Sequence, residues 1–250
     1  MKNIKNSSLF IKIMIPKVTF KFDKEKDLWN NWATVNYESP WENMYKMVPV
    51  LTDMCKGKTF EECKDKLEEF NKIVYESPLI EVIISAFQEA WNKINNEFFK
   101  RLERIMKSKF PLKEVTAYLT TQYRCPYNKE ERWFMVSIYR SIFYIMATAG
   151  HELMHLHFHK TYWPKIEKQI GKEKTANLKE ALTVLLNLEF RDLWFVKDEG
   201  KNNEQQQKLR GYITEEWKKK KDFDSLMKNC VAYLKKEDSK KSDPAGFKSS

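Results

Sequence analysis

The chain has 250 residues, 42% hydrophobic and 14% aromatic, so it can bury a sizeable core, and this composition excludes a disordered protein. The formal net charge of +10 leaves nucleic acid, a membrane surface and acidic substrates open as partners. Lysines alternate with acidic residues along most of the chain, except at residues 218–221 and in the tail. This pattern favours a generally basic solvated surface over a nucleic-acid groove, so nucleic acid is not the expected partner.

The cysteines are spaced irregularly and form no CxxC pair, which fits neither a thiolate zinc site nor a dense disulfide scaffold. We expect reduced, partly buried thiols, although Cys55 and Cys63 are able to pair. The four are Cys55, Cys63, Cys125 and Cys230.

The N-terminal apolar run at residues 9–15 is short, carries Lys12 and ends at Pro16 without a small-residue cleavage site. It therefore does not resemble a secretory signal. No uninterrupted apolar run approaches the ~20 residues that a membrane-spanning helix needs. We predict a soluble, cytoplasmic protein with no membrane partner.

The first half of the chain is predicted to be mainly helical after a short β-rich start. Residues 9–22 alternate in polarity around Pro16 and predict two short strands. Helices are predicted at residues 24–36, from Trp41 onwards, and from Thr59 to about residue 75, where Glu62 completes a helix-start pattern. A long helix over 78–107 carries one apolar stripe, which indicates core packing.

Composition changes after residue 111. Residues 115–121 and 133–138 are β-rich and flank a turn near Cys125, so we predict an antiparallel pair. An apolar helix follows at residues 141–160, in which Gly150 leaves room for a neighbour or a substrate. Further helices are predicted at 176–196, around 209–217 and at 223–234, with a polar loop at 198–207.

These elements predict an α+β protein that is predominantly helical, with a small antiparallel sheet before the helix at 141–160. The predicted divisions are an N-terminal hairpin and helical region at 1–110, a core at 111–234 and a disordered basic tail at 235–250.

The stretch HELMHLHFH, residues 151–159, holds all four histidines of the chain. On a helix, His151 and His155 lie one turn apart on nearly the same face, about 6 Å from each other, and can offer two nitrogens to one metal ion. Glu152 leaves the helix beside the first ligand, where its carboxylate is placed to take a proton from a metal-activated water. This arrangement is typical of a zinc hydrolase.

The third ligand must come from outside the motif. His159 lies about 12 Å along the axis from His151, and His157 points off the metal face. Because no other histidine exists and the cysteines show no suitable pairing, a carboxylate is expected. The candidates are Glu180, Glu189 and Asp192. Glu180 is favoured because small Ala181 follows it, while the opposing interpretation is a surface carboxylate on a lysine-rich helix start.

The motif HELMH, the downstream glutamate in KEALT and the preceding strands resemble a gluzincin-type zinc metallopeptidase, most closely the compact minigluzincins. The resemblance covers roughly residues 113–195. The downstream glycine and third histidine of metzincins are missing. Where thermolysin-like enzymes place an aspartate, four residues after the ligand glutamate, this chain has Val184. Asn187 or Asp192 are therefore candidates for orienting a ligand histidine.

The resemblance implies a zincin-like core and a peptide or protein substrate. His151, His155 and Glu180 would bind Zn²⁺ and leave a fourth position for water, while Glu152 would act as general base. Residues 134–137 would form an upper-rim strand that pairs with an extended peptide. Tyr212, Arg210 and Tyr162 are the candidates for stabilising the oxyanion.

Two other classes of function remain open. One is a basic nucleic-acid-associated or regulatory protein whose zinc site is structural or inactive. Glu152 argues against it, because a structural site needs no carboxylate beside its ligand. The other is a zinc hydrolase that acts on a non-peptide amide.

Overall fold

The computed structural model describes residues 15–37, 48–200 and 203–241. Within these ranges the chain is mostly helical with one four-stranded sheet, which confirms the α+β expectation. In chain order the elements are β1 (Lys17–Phe22), α1 (Lys24–Asn36), α2 (Pro49–Cys55), α3 (Phe60–Tyr75), α4 (Leu79–Ile105), β2 (Glu114–Thr120), β3 (Tyr127–Asn128), β4 (Trp133–Ser137), α5 (Ile142–Thr161), α6 (Trp163–Leu182), α7 (Val184–Glu189), α8 (Arg191–Trp194), α9 (Glu204–Lys219) and α10 (Phe223–Lys241).

The sheet has the strand order β1-β2-β4-β3. β2 is parallel to both β1 and β4, whereas β3 runs antiparallel to β4. The predicted antiparallel pairing of β2 with β4 is therefore wrong. The segment predicted as a simple turn contains β3, so the chain reverses twice between β2 and β4 and regains its original direction.

Several predicted helices begin and end close to their predicted bounds. α3 begins with a capping box, in which the Thr59 backbone N–H donates to Glu62 Oε2 at 2.7 Å and the Thr59 hydroxyl caps the Glu62 N–H. The long helix α4 buries the predicted stripe, including Trp91 and Phe98. Residues 9–14 of the first predicted strand, and the helix predicted from Trp41 through residue 47, lie outside the described residues.

Two hydrophobic clusters are present in the described residues. The larger one contains residues of the strands β1, β2 and β4, of α4 and of helices α5–α10. A smaller cluster lies between α1, α2 and α3, with Leu28, Leu51 and Leu67 at its centre. The division at residue 110 stays a prediction. β1 and α4, which precede it, share one core with the elements that follow it.

The C-terminal helices differ from the predicted bounds. The helix predicted at 176–196 is divided into three elements. α6 ends at Leu182, a break at Thr183 separates it from α7, and a second break at Phe190 separates α7 from α8. α6 begins before Pro164 and bends at Gly171, whose φ of 77° lies in the left-handed region that glycine tolerates.

The two last helices also extend beyond their predicted bounds. α9 begins at Glu204, inside the predicted loop, where the Asn203 side chain accepts from the Gln206 N–H. α10 continues to Lys241 and so includes residues 235–241 of the predicted tail, whose disorder stays a prediction; residues 242–250 lie outside the described residues. Among the described helices, none combines the length and the apolar character needed to cross a membrane.

Candidate metal centre

Helix α5 brings the histidine motif into the centre of the protein. It packs against α4, α6 and β4, and most of its residues from Ile145 to Phe158 are buried. An added Cβ at Gly150 would lie 2.7 Å from Trp194 Cη2 and 3.2 Å from Phe98 Cε2. The close approach predicted at Gly150 is therefore to neighbouring aromatic rings, which hold this face of α5 against α4 and α8.

His151, His155 and Glu180 form one cluster. The two imidazole rings have centroids 4.2 Å apart. Glu180 Oε2 lies 3.7 Å from His151 Nε2 and 3.3 Å from His155 Nε2. One ligand atom from each residue lies within 4.8 Å of the others, so the group could hold a metal ion. The predicted proximity of Glu180 is confirmed, although Glu180 stands in the last turn of α6 and not in the first turns of a helix.

The polar atoms of the cluster suit a metal ion. His155 is 2% exposed, its Nδ1 has no hydrogen-bond partner among the described residues, and its Nε2 lies 3.3 Å from Glu180 Oε2 without hydrogen-bond geometry. Such unpaired buried atoms are costly unless they bind something. Burial, together with the charges of Lys179 and His151, holds the pKa of His155 well below its ordinary value. His155 is therefore neutral, which is the form that binds metals, and two histidines with one glutamate are a common zinc ligand set.

His151 differs from His155 in charge. Burial alone would lower its pKa, but the carboxylates of Asp198 and Glu180 raise the pKa of His151 to about 10. Without a metal, His151 is therefore protonated at neutral pH and is paired with these two acids. Because a metal needs the neutral imidazole, binding at this cluster would release a proton.

Asp198 orients His151. Its Oδ2 atom lies 3.0 Å from His151 Nδ1. The Asn187 side-chain amide donates to the Asp198 carbonyl oxygen and accepts from the Asp198 N–H, each at 2.8 Å, and Arg210 donates to the same carbonyl oxygen. A carboxylate that accepts from the other nitrogen of a ligand histidine fixes its ring orientation and tautomer. Asn187 therefore acts indirectly, by holding the residue that contacts His151.

Asp198 was missed because it lies in the irregular segment between α8 and α9, and no spacing rule connects that segment to the motif. The other predicted orienting residue, Asp192, instead accepts two hydrogen bonds from Arg101 at 2.7 and 2.9 Å.

Glu152 lies beside the cluster and is 7% exposed. Its Oε2 atom is buried without a hydrogen-bond partner among the described residues. Burial raises the pKa of Glu152 to about 7, while the charges of His151 and Lys179 oppose the rise. This carboxyl group can therefore both accept and donate a proton near neutral pH.

A chain of hydrogen bonds borders the cluster on its other side. Lys179 Nζ lies 2.9 Å from Glu180 Oε1 and donates to the Tyr127 hydroxyl, also at 2.9 Å. The Tyr127 hydroxyl lies 2.7 Å from His159 Nε2, and its ring centroid is 5.8 Å from that of His155. Lys179 thus occupies one oxygen of Glu180 and leaves the other facing the histidines. Sequence reasoning identified neither Lys179 nor Tyr127.

His157 and His159 lie outside the cluster, as predicted. His157 is fully buried, and its Nε2 lies 2.8 Å from the Ser108 hydroxyl. His159 stacks on Trp163 with ring centroids 4.4 Å apart. Both rings serve packing and hydrogen bonding in the described structure.

The remaining candidate residues make contacts elsewhere. Glu189 accepts from Trp217 Nε1 and from Lys221 Nζ, so it does not join the cluster. Tyr212 stacks on Tyr233 and donates to the Asn229 carbonyl.

Two further candidates for the oxyanion also have other partners. The Tyr162 hydroxyl donates to the Met106 carbonyl. Arg210 donates to Thr183 Oγ1 at 2.8 Å and supports Asp198. The oxyanion role of Tyr212, Tyr162 and Arg210 stays a prediction, and the described contacts give none of them a position against the cluster.

The strand predicted as an upper rim, residues 134–137, is not at the edge of the sheet. β4 lies between β2 and β3, and all five of its residues are buried. The edge strand on this side is β3, which contributes Tyr127.

Comparison with family models, with curated proteins and with solved structures found no match for this chain. Function is therefore inferred from the site alone. Its geometry is that of a possible metal centre with two histidines and one glutamate, next to Glu152, whose buried Oε2 has no hydrogen-bond partner in the described part of the chain.

Proposed function

We propose that the protein is a zinc-dependent metallopeptidase, similar in its active site to the gluzincins. The observation that carries the proposal is the position of Glu152, which is buried beside the three-residue cluster and whose Oε2 has no hydrogen-bond partner among the residues that the structure describes. A purely structural metal site gains nothing from a buried acid of this kind, and burying it unpaired is costly. A reaction that moves a proton explains why it is there.

In this proposal His151, His155 and Glu180 hold the zinc ion. When bound, the ion supplies a Lewis acid that activates water and polarises the scissile carbonyl. Glu152 accepts a proton at Oε2 from the attacking water and passes it to the leaving amine. Asp198 keeps His151 in the orientation that presents Nε2, and Lys179 keeps Glu180 turned with Oε2 towards the histidines.

The sheet edge supports a peptide as the substrate. An extended peptide adds to an exposed strand edge through main-chain hydrogen bonds. Among the described strands, those at the edges of the sheet are β1 and β3. Of these two described strands, β3 carries a residue that borders the cluster, Tyr127. A peptide paired with β3 would therefore pass next to Glu152 and the histidines.

The test compares wild type with Glu152→Gln. Zinc content is measured by mass spectrometry, and hydrolysis is measured with a fluorescently quenched unfolded protein. We expect one zinc per chain in both forms and at least a ~100-fold loss of hydrolysis in the variant. Glu173→Gln, an exposed site on α6, is the control and should retain activity. Equal hydrolysis by wild type and Glu152→Gln, or none by zinc-loaded wild type, would refute the peptidase proposal.

A further inference from the structure

A cavity of about 540 Å³ lies beside β3, the edge strand whose Tyr127 borders the candidate metal centre. Four aromatic side chains line it together with Arg124, and we call it the Arg124 cavity. Tyr127 belongs both to this lining and to the border of the cluster, where its ring lies 5.8 Å from that of His155. Tyr127 is thus the residue that the cavity and the border of the possible metal centre share. It pairs with Phe134 on the face of the sheet that packs against α5, whereas Trp133 lies on the opposite face against Trp29, so β3 lies between the two sites. The aromatic residues are Trp29, Phe60, Tyr127 and Trp133.

Arg124 is held in place from two directions. Asn30, which is fully buried, accepts from Arg124 Nη1 at 2.7 Å and donates to the Arg124 carbonyl at 2.9 Å. The same amide group donates to Thr120 Oγ1 at the end of β2. The guanidinium group also faces the rings of Trp29 and Tyr37, at 5.6 and 5.9 Å from their centroids. The orientation of the guanidinium group is therefore set before any ligand binds.

Arg124 has no carboxylate partner among the described residues. Burial lowers its pKa, and the only groups that oppose this effect are Tyr37 and Cys125. The other charged residues around the cavity are paired, since Lys26 binds Glu131 at 3.4 Å and Glu25 binds Lys64 at 2.8 Å. A partly desolvated guanidinium without a counter-ion is costly, and its planar donors match the two oxygens of a carboxylate.

We propose that the Arg124 cavity binds a carboxylate of the peptide substrate, either an acidic side chain or a free C-terminus. Arg124 binds the carboxylate, and the surrounding rings pack against the apolar part of the same residue. Because the edge strand β3 lies between the cavity and His155, a peptide anchored at Arg124 would cross this edge of the sheet to bring its neighbouring peptide bonds towards Glu152. This inference rests on the proposed peptidase function for the nature of the ligand.

The test measures binding without cleavage, on the Glu152→Gln protein. Fluorescein-labelled alanine hexapeptides carry Glu or Gln at each position in turn, and each has a free or an amidated C-terminus. Fluorescence polarisation gives the affinities. We expect one acidic peptide to bind about 10–100-fold more tightly than its neutral counterpart, as a charge-assisted bidentate contact implies. A loss of affinity when Glu is replaced by Gln indicates a side-chain carboxylate, and a loss when the C-terminus is amidated indicates a C-terminal carboxylate.

Variants of Arg124 decide whether the preference comes from the cavity. In the Glu152→Gln protein, Arg124→Gln should abolish the preference for acidic peptides. Arg124→Lys should retain part of this preference because the charge remains. Arg104→Gln removes the same charge from an exposed position on α4 and should leave the preference unchanged. Circular dichroism checks that each variant is folded.

Two results would overturn the inference. One is the absence of any acidic preference. The other is a preference that survives Arg124→Gln, which would reflect the net charge of +10. Hydrolysis by wild type is measured separately with the same peptides. Cleavage without an acidic preference removes this inference but leaves the peptidase proposal. An Arg124-dependent preference without any cleavage retains the cavity as a carboxylate site and refutes the peptidase.

Discussion

His151 Nδ1 lies 3.0 Å from Asp198 Oδ2, across the gap between the buried helix α5 and the irregular segment that follows α8. This contact leaves the opposite nitrogen of His151 facing Glu180, at 3.7 Å. Asn187 and Arg210 in turn hold the backbone of Asp198. The orientation of one candidate ligand is thus set by residues from three elements beyond its own helix.

Removing the charge of Asp198 should weaken zinc binding. Asp198→Asn leaves a side chain of nearly the same shape, but His151 loses the carboxylate that orients it and raises its basicity. We expect the zinc affinity to fall about 10–100-fold, measured by competition with a chromophoric chelator. Glu199→Gln, at the exposed neighbouring position, should retain the wild-type affinity. An unchanged affinity in Asp198→Asn would contradict the orienting role.

The choice of Glu180 as third ligand predicts a contrast with Glu189. Glu180→Gln replaces an anionic ligand oxygen with a neutral amide and should reduce zinc affinity by more than about 100-fold, beyond the effect expected for an orienting residue. Glu189→Gln should leave zinc binding unchanged, because Glu189 is bonded to Trp217 and Lys221. The same chelator competition measures both. A larger loss of zinc affinity in Glu189→Gln than in Glu180→Gln would contradict the assignment of Glu180 as the third ligand.

Two glycines in helices should respond to alanine in opposite directions. At Gly150 a new Cβ would meet Trp194 at 2.7 Å and Phe98 at 3.2 Å, and both rings are buried. We expect Gly150→Ala to lower the free energy of unfolding by about 1–3 kcal/mol. At Gly211 nothing lies within 4 Å, so Gly211→Ala should raise it by about 0.5–1 kcal/mol. Urea unfolding measures both, and a stable Gly150→Ala protein would show that the aromatic rings can move.

The buried carboxyl group of Asp27 predicts a pH dependence of stability away from the metal centre. Asp27 is fully buried and accepts hydrogen bonds from Tyr75 and from Thr120 and Thr121. Burial raises its pKa above the ordinary value, although these donors oppose the rise. The folded state therefore holds the Asp27 proton more tightly than the unfolded state does. This contribution to stability is present at low pH and is lost as pH rises through the folded pKa.

The comparison with Asp27→Asn isolates that contribution, because asparagine does not titrate. Relative to the variant, wild type should become less stable as the pH rises from about 4 to 8 in urea-unfolding measurements. If wild type instead gains stability relative to Asp27→Asn over this range, the four hydrogen bonds outweigh the cost of burying the charge.

The sequence by itself determined the local features of the protein. The four-residue spacing of His151 and His155 on a helix puts both imidazoles on one face, wherever that helix lies. Likewise, Thr59 and Glu62 mark the start of α3, and the apolar stripe of α4 identifies its buried side. Each signal depends on residues within a few positions of one another, so the helical period alone transmits it. Glu180 was favoured on the same local grounds, by its place next to a small residue.

Only the tertiary structure decided which distant residues meet. Asp198 contacts His151 across 47 positions of sequence, and Lys179 contacts Tyr127 across 52. The direction of β4 was mispredicted for a related reason, since a two-residue strand is too short to show a period. A loop residue has no helical or strand repeat that ties it to a partner, and its contacts follow from how whole elements pack. The motif therefore indicates two candidate ligands and a candidate base. The residues that contact them, the cavity beside β3 and an Arg124 without a carboxylate partner among the described residues emerge from the fold.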